Sequence, residues 1–144
     1  MKSFRERLWA PWWIWMVGAV FALSLGVAYA VPFQARIGWI VGTITGVLVV
    51  IGLVRSSPVI EVRDGFLYAG RAHIDIDFLE TLTPLDRNAS LELRGPGANP
   101  LAWMLLRSWI PTAVRVDLND PDDPTPYWFI STRKPVELVR ALQG

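Results

Sequence analysis

Five oxygen-bearing side chains crowd one short stretch: Asp117, Asn119, Asp120, Asp122 and Asp123. A hard cation such as calcium takes roughly six to eight oxygen ligands, and this set offers several. The spacing, however, lacks the Asp-x-Asp-x-Asp-Gly rhythm and the downstream Glu of an EF-hand loop. Pro121, Pro124 and Pro126 stiffen the same stretch, and Asp and Asn are ordinary turn formers. The expectation is a structural turn, with a cation or partner site as the alternative. His73 is the sole histidine, and cysteine is absent. Thiolate catalysis, disulfides and zinc–thiolate sites are therefore excluded, and His73 has no second soft ligand to share a metal with. No phosphate loop, Gly-x-Ser-x-Gly elbow or paired-histidine motif occurs. The sequence thus predicts neither an enzyme nor a cofactor.

The element that must position these residues is apolar. Between Leu8 and Val54 the one formal charge is Arg36, in the break Pro32-Phe33-Gln34-Ala35-Arg36. It separates two apolar runs, residues 12–31 and 37–54. At about 1.5 Å per helical residue, each run reaches across a hydrocarbon core of about 30 Å. Backbone polar groups in lipid must be satisfied internally, so a transmembrane helical hairpin is expected. Pro11 suits the first turn, where a missing N–H costs no helical bond. Trp9, Trp12, Trp13 and Trp15 are expected to anchor one membrane interface, and Trp39 the other. Ala28-Tyr29-Ala30 also resembles a signal-peptidase site, but the apolar run is long for a signal peptide and a second run follows at once.

Small residues recur every fourth position: Gly18, Ala22, Gly26 and Ala30, then Gly38, Gly42 and Gly46. That spacing lines them on one helical face and permits close backbone approach. The other arm of the hairpin is the first candidate partner; the same faces also allow a homo-oligomer. Val49 is expected on the opposite, lipid-facing side. Lys2, Arg5 and Arg7 precede the first run and Arg55 and Arg63 follow the second, against Arg36 between them. The positive-inside rule then places both termini in the cytoplasm of a multi-pass protein in the plasma membrane.

The head and hairpin account for residues 1–57, leaving 58–144 for one small domain. Its slight excess of acid over base argues against nucleic acid. Residues 59–63 and 66–69 read as strands joined by Asp64-Gly65, a pair that tolerates the positive φ of a tight hairpin. Alternation over residues 73–78 presents Ile74, Ile76 and Phe78 to one face. A short strand is expected over 79–83, a helical turn or two over 86–94, and a strand over 101–109, where a short helix is the alternative. Residues 112–118 and 127–132 should pair across the acidic connection. Pro135 then opens an amphipathic helix with Val136, Leu138, Val139 and Leu142 inward.

About seven strands followed by one helix resemble, over residues 59–143, the pleckstrin-homology-like β-barrel or sandwich. That likeness rests on element order, the Asp64-Gly65 hairpin and Ser131-Thr132-Arg133-Lys134-Pro135 before the helix. Arg5-Glu6-Arg7-Leu8-Trp9-Ala10-Pro11-Trp12-Trp13, Gly95-Pro96-Gly97-Ala98-Asn99-Pro100 and Asp120-Pro121-Asp122-Asp123-Pro124-Thr125-Pro126-Tyr127-Trp128 resemble an actinobacterial family of small membrane proteins without an assigned function. The resemblance implies a two-span bacterial protein and carries over no activity. Phosphoinositide-binding pleckstrin-homology domains use a basic first hairpin loop, where this chain has Asp64-Gly65.

Two functions fit. One is a non-catalytic interaction or scaffold module tethered at the cytoplasmic face, holding another membrane or cytoplasmic protein in a groove or strand edge. The alternative binds or processes a lipid or small ligand near Trp103, Trp109 and Trp128. Arg107, Arg115, Arg133 and Lys134 would face anionic headgroups if the domain lies against the bilayer.

Overall fold

The computed structural model describes residues 3–144; Lys2 of the expected basic head lies outside them. Two compact units divide the chain. One is the stretch Trp9–Ser57; the other joins the residues up to Leu8 with Pro58–Gly144.

The first unit is a helical hairpin, α1 (Trp12–Ala30) and α2 (Ala35–Arg55). Both helices are long and apolar enough to cross a membrane. Their apolar side chains are displayed outward: Trp12, Leu23, Val31, Trp39 and Leu48 are all exposed. A helix apolar on every side, and buried on almost none, has no polar face to turn to water while an apolar stripe packs on a core.

The second unit holds two four-stranded sheets. The first runs β1 (Phe4–Arg7), β2 (Val59–Arg63), β3 (Phe66–Ala69) and β4 (Ala72–Asp75), antiparallel throughout and in chain order. The β2–β3 turn places Asp64 at φ 52° and Gly65 at φ 80°, the left-handed pair expected of Asp-Gly. The second sheet has the order β5 (Leu79–Leu85), β7 (Ala113–Leu118), β8 (Tyr127–Ser131), β6 (Trp103–Leu105). Strand β6 runs parallel to β8 and the other pairings are antiparallel. Helix α3 (Arg87–Arg94) and helix α4 (Pro135–Leu142) complete the unit.

Alternation along the strands builds the core. Phe4, Ile60, Val62, Leu67 and Ile74 of the first sheet join Val114, Val116, Trp128 and Ile130 of the second, with Leu138, Ala141 and Leu142 of α4. The opposite face of the second sheet, with Leu85, Ala113, Tyr127 and Phe129, is covered by Ala89 and Leu93 of α3. Strand β8 is buried at every residue because both its faces are covered.

Several expectations change. The barrel is not closed: among the described residues there are two open sheets and eight strands. The extra strand is β1, read from the sequence as a basic head. Phe4 and Leu8 lie two strand periods apart and are buried, which secures it to β2. The strand expected over 73–78 stops at Asp75. There the Asp75 carboxylate accepts the Asp77 N–H and starts a 3-10 turn over Ile76–Phe78, leaving Phe78 exposed. Strand β5 extends beyond residue 83 through Pro84, which an edge strand tolerates. In α4, Val136 points outward and Ala141 takes the inward place expected of it.

Candidate interaction surfaces

The outer face of the first sheet brings together residues that sequence spacing kept apart. Cross-strand register aligns Arg5, Glu61, Tyr68 and His73 in one row, and Arg63, Phe66 and Asp75 in the next. The Tyr68 and His73 rings stack with centroids 5.7 Å apart. Phe66 lies 6.3 Å from Tyr68 and 6.2 Å from His73. The Arg63 guanidinium sits 5.0 Å over the Tyr68 ring, a favourable cation–π geometry. Phe66 and Tyr68 are half-buried and His73 is exposed. Among the described residues no strand pairs with the outer edge of β4, so its backbone groups remain open to a further strand. His73 was legible as the sole histidine; its aromatic neighbours are visible only once the register is known.

On the second sheet, polar side chains are tied internally. Arg115 donates from Nε and Nη2 to Asp117 at 2.8 and 2.7 Å and lies 4.3 Å over the Tyr127 ring. Arg94, which sequence reading missed, reaches from α3 over the Phe129 ring. It donates to the Ile110 carbonyl at 2.6 Å and the Ser131 hydroxyl at 3.3 Å. Desolvation lowers the pKa of Arg94, and that of Arg107 as well. No acidic side chain lies three or four positions from Arg94 to mark its half-buried role, which leaves no pattern in the sequence.

The acidic connection is organised as turns. Asp120 accepts the Asp122 N–H at 2.9 Å and Asp123 accepts the Thr125 N–H at 2.9 Å. Asn119 donates its N–H to the Phe78 carbonyl, and Asp117 is turned onto Arg115. The side-chain and backbone hydrogen bonds of Thr125 hold the Asp123 carboxyl below its ordinary value. Among the described residues no cluster of three His, Cys, Asp or Glu side chains has a metal-binding arrangement. The three tryptophans Trp103, Trp109 and Trp128 pack against the main core, with Trp103 and Trp128 4.5 Å apart. Arg133 and Lys134 lie exposed before α4, where Lys134 pairs with Glu137 at 3.0 Å.

Within the hairpin, the small residues form the seam between α1 and α2. A Cβ on Gly38 would lie 2.5 Å from the Gly26 carbonyl oxygen and 2.5 Å from the Ala30 Cβ. A Cβ on Gly26 or Gly42 would lie 3.4 Å from the other's Cα, and one on Gly46 3.9 Å from the Ala22 Cβ. Gly18 faces Val49, whose Cγ1 occupies the space of a Gly18 Cβ. Val49 therefore belongs to the seam and not to the outward face expected of it. Beside the seam, an apolar groove of about 460 Å³ is lined by Ala22, Gly26, Gly42 and Thr43 among others. Of the aromatic residues at the helix ends, Trp9, Trp12, Trp13 and Trp39 are exposed and Trp15 is half-buried.

An apolar helical hairpin inserted after the first strand of a small two-sheet domain defines the class of protein. The chain belongs to the family described as Protein of unknown function (DUF3093), whose model matches residues 3–142. No curated protein and no solved structure matches it.

Proposed function

We propose that this protein is a non-catalytic interaction module held at the cytoplasmic face of a bacterial plasma membrane. The hairpin spans the bilayer, Trp9, Trp12, Trp13, Trp15 and Trp39 anchor its interfaces, and both termini face the cytoplasm. Charge favours that orientation through Arg5, Arg7 and Arg55 against Arg36. The Leu8 N–H donates to the Pro58 carbonyl at 3.0 Å, so the chain leaves the two-sheet domain and re-enters it at adjacent points. That adjacency supports an even number of crossings. The order of strands and closing helix is the basis for a pleckstrin-homology-like ancestry within an actinobacterial family, although the sheets stay open and β6 is parallel.

The observation that carries the interaction reading is the surface of Phe66, Tyr68 and His73 beside the unpaired edge of β4. Aromatic groups half-exposed next to free backbone donors and acceptors suit an added peptide strand. The partner is another membrane or cytoplasmic protein. Small-molecule processing is disfavoured because Trp128 is buried in the core and Trp103 and Trp109 pack against it, so the three rings are committed to packing. The test is photocrosslinking in cells from a benzophenone amino acid placed at Tyr68, at His73, or at Arg140 on α4 as a control. Discrete protein adducts from the two sheet positions alone support the reading; equal adducts from Arg140, or none, contradict it.

A further inference from the structure

The two-sheet domain is electrically polarised along its strands. At the end where the chain departs for the helices, Arg7 pairs with Val59 and the Leu8 N–H reaches Pro58. Three further segments return to this end. The Gly70 N–H bonds the Val59 carbonyl at 2.9 Å, which brings the Gly70–Arg71 turn there. Arg107 follows Leu105, whose side chain lies near Gly70, and its N–H bonds the Ser131 hydroxyl at 3.1 Å. Glu6 accepts hydrogen bonds from the Thr132 hydroxyl and, at 3.1 Å, from the Arg133 N–H, which fixes Arg133 and Lys134 there too. Arg87 joins them, because β5 ends at Leu85 opposite Ala113, next to Ser131 in register.

Acidic groups at this end are already engaged. Glu6 is held as described, Asp86 caps α3 through the Ala89 N–H at 2.8 Å, and Glu137 pairs with Lys134. The opposite end is the reverse. Asp64, Asp75 and Asp77 gather beside Gln143 at the end of α4. The Asn119 N–H meets the Phe78 carbonyl at 2.9 Å, placing the Asp120–Asp123 loop with them. Arg63 and Arg140, the latter in the last turn of α4, are basic residues on that side, fewer than the carboxylates around them. The chain-wide charge of +1 conceals this separation.

We propose that the basic end is a docking surface for anionic phospholipid headgroups, and that it sets the orientation of the domain on the bilayer. The inference rests on the tethered-module reading and adds what the domain recognises. Tethering brings the basic end close to headgroups, and screening over about 8 Å at physiological salt leaves the acidic end largely outside their field. The attraction of one end and repulsion of the other act in the same sense. That orientation stands β3 and β4 out from the surface, with Tyr68 and His73 on the second rung from the basic end and Phe66 and Asp75 farthest from it.

The chain has no cysteine, so single-cysteine labelling is clean. Full-length protein carrying a fluorophore at Ser108→Cys, in the basic-end loop, or at Asp122→Cys, at the acidic end, is placed in nanodiscs with headgroup-nitroxide lipid as quencher. The discs contain phosphatidylcholine alone or mixed with phosphatidylglycerol. Phosphatidylglycerol should raise quenching at Ser108 severalfold over that at Asp122, and high salt should reverse the rise. Arg71→Glu with Arg87→Glu should abolish the dependence, while Arg71→Lys with Arg87→Lys should keep it. Equal quenching at both sites, or a Ser108 signal indifferent to phosphatidylglycerol, overturns the proposal. Failure of the chain to enter discs of either composition contradicts the tethering itself and is a different result.

Discussion

The Glu6 carboxylate accepts a hydrogen bond from the hydroxyl of Thr132, joining a residue before the apolar hairpin to one after the last strand. Thr132 is fully buried, and Glu6 also receives the Arg133 N–H at 3.1 Å. The bond secures β1 to the junction of β8 and α4, although more than a hundred residues separate the partners. A carboxylate serving a buried hydroxyl is a charge-assisted interaction, stronger than a neutral pair.

Glu6→Ala should therefore destabilise the protein by about 2 kcal/mol, because the Thr132 hydroxyl and Arg133 N–H lose their acceptor. Thr132→Val should cost a similar amount, and the double variant less than the two combined. Thermal or denaturant unfolding of the detergent-solubilised chain measures this. Full additivity would show that Glu6 and Thr132 act independently.

The hairpin seam yields a sharper contrast. Gly38→Ala puts a methyl 2.5 Å from the Gly26 carbonyl oxygen, where the obstacle is backbone and cannot rotate away. Overpacking of this kind costs about 1–3 kcal/mol. Gly52→Ala meets nothing within 4 Å and should be neutral or slightly stabilising. Thermal stability in detergent distinguishes them; equal melting temperatures would mean the helices do not pack along Gly26, Gly38 and Gly42.

For the acidic connection, titration calorimetry with calcium and magnesium should give no saturable heat at micromolar concentrations. Asp120 and Asp123 already cap backbone N–H groups as turn residues do. Asp122→Asn with Asp123→Asn should lower stability at neutral pH only by the small contribution of the Asp123 carboxylate held by Thr125. Tight cation binding lost in that double variant would overturn the turn assignment.

Asp123 also predicts an acid-limb effect. Hydrogen bonds from Thr125 depress its pKa below the ordinary 3.8. A depressed carboxyl contributes stability that is present above the unfolded value and lost as pH falls through the lower folded value. Below pH 3.8 the parent chain should lose that contribution while Asp123→Asn has none to lose. Parallel acid titrations of unfolding check it, and identical acid limbs would contradict it.

The sequence revealed the two long apolar helices and the turns at Asp64-Gly65 and Pro135, because hydropathy and backbone preference are local. Strand β1 was hidden because Phe4, Glu6 and Leu8 make too short a pattern beside a basic head; its pairing with β2 crosses the whole hairpin. Strand β6 was overextended because residues 101–109 are apolar for two reasons, pairing at Trp103–Leu105 and packing at Trp109. The Tyr68–His73 stack and the charge separation depend on register between distant strands. Neither Arg71 nor Arg107 has any local mark of belonging to the same end of the domain.

The proposed function requires a hairpin that crosses the membrane and returns the chain to the cytoplasm. Its most direct test is accessibility of single cysteines at Gln34→Cys, between the helices, and Gly144→Cys, to a membrane-impermeant maleimide added to intact cells. Gln34→Cys should react from outside, and Gly144→Cys should react only after the cells are opened. Labelling of Gly144→Cys in intact cells, or protection of Gln34→Cys in them, would contradict the account.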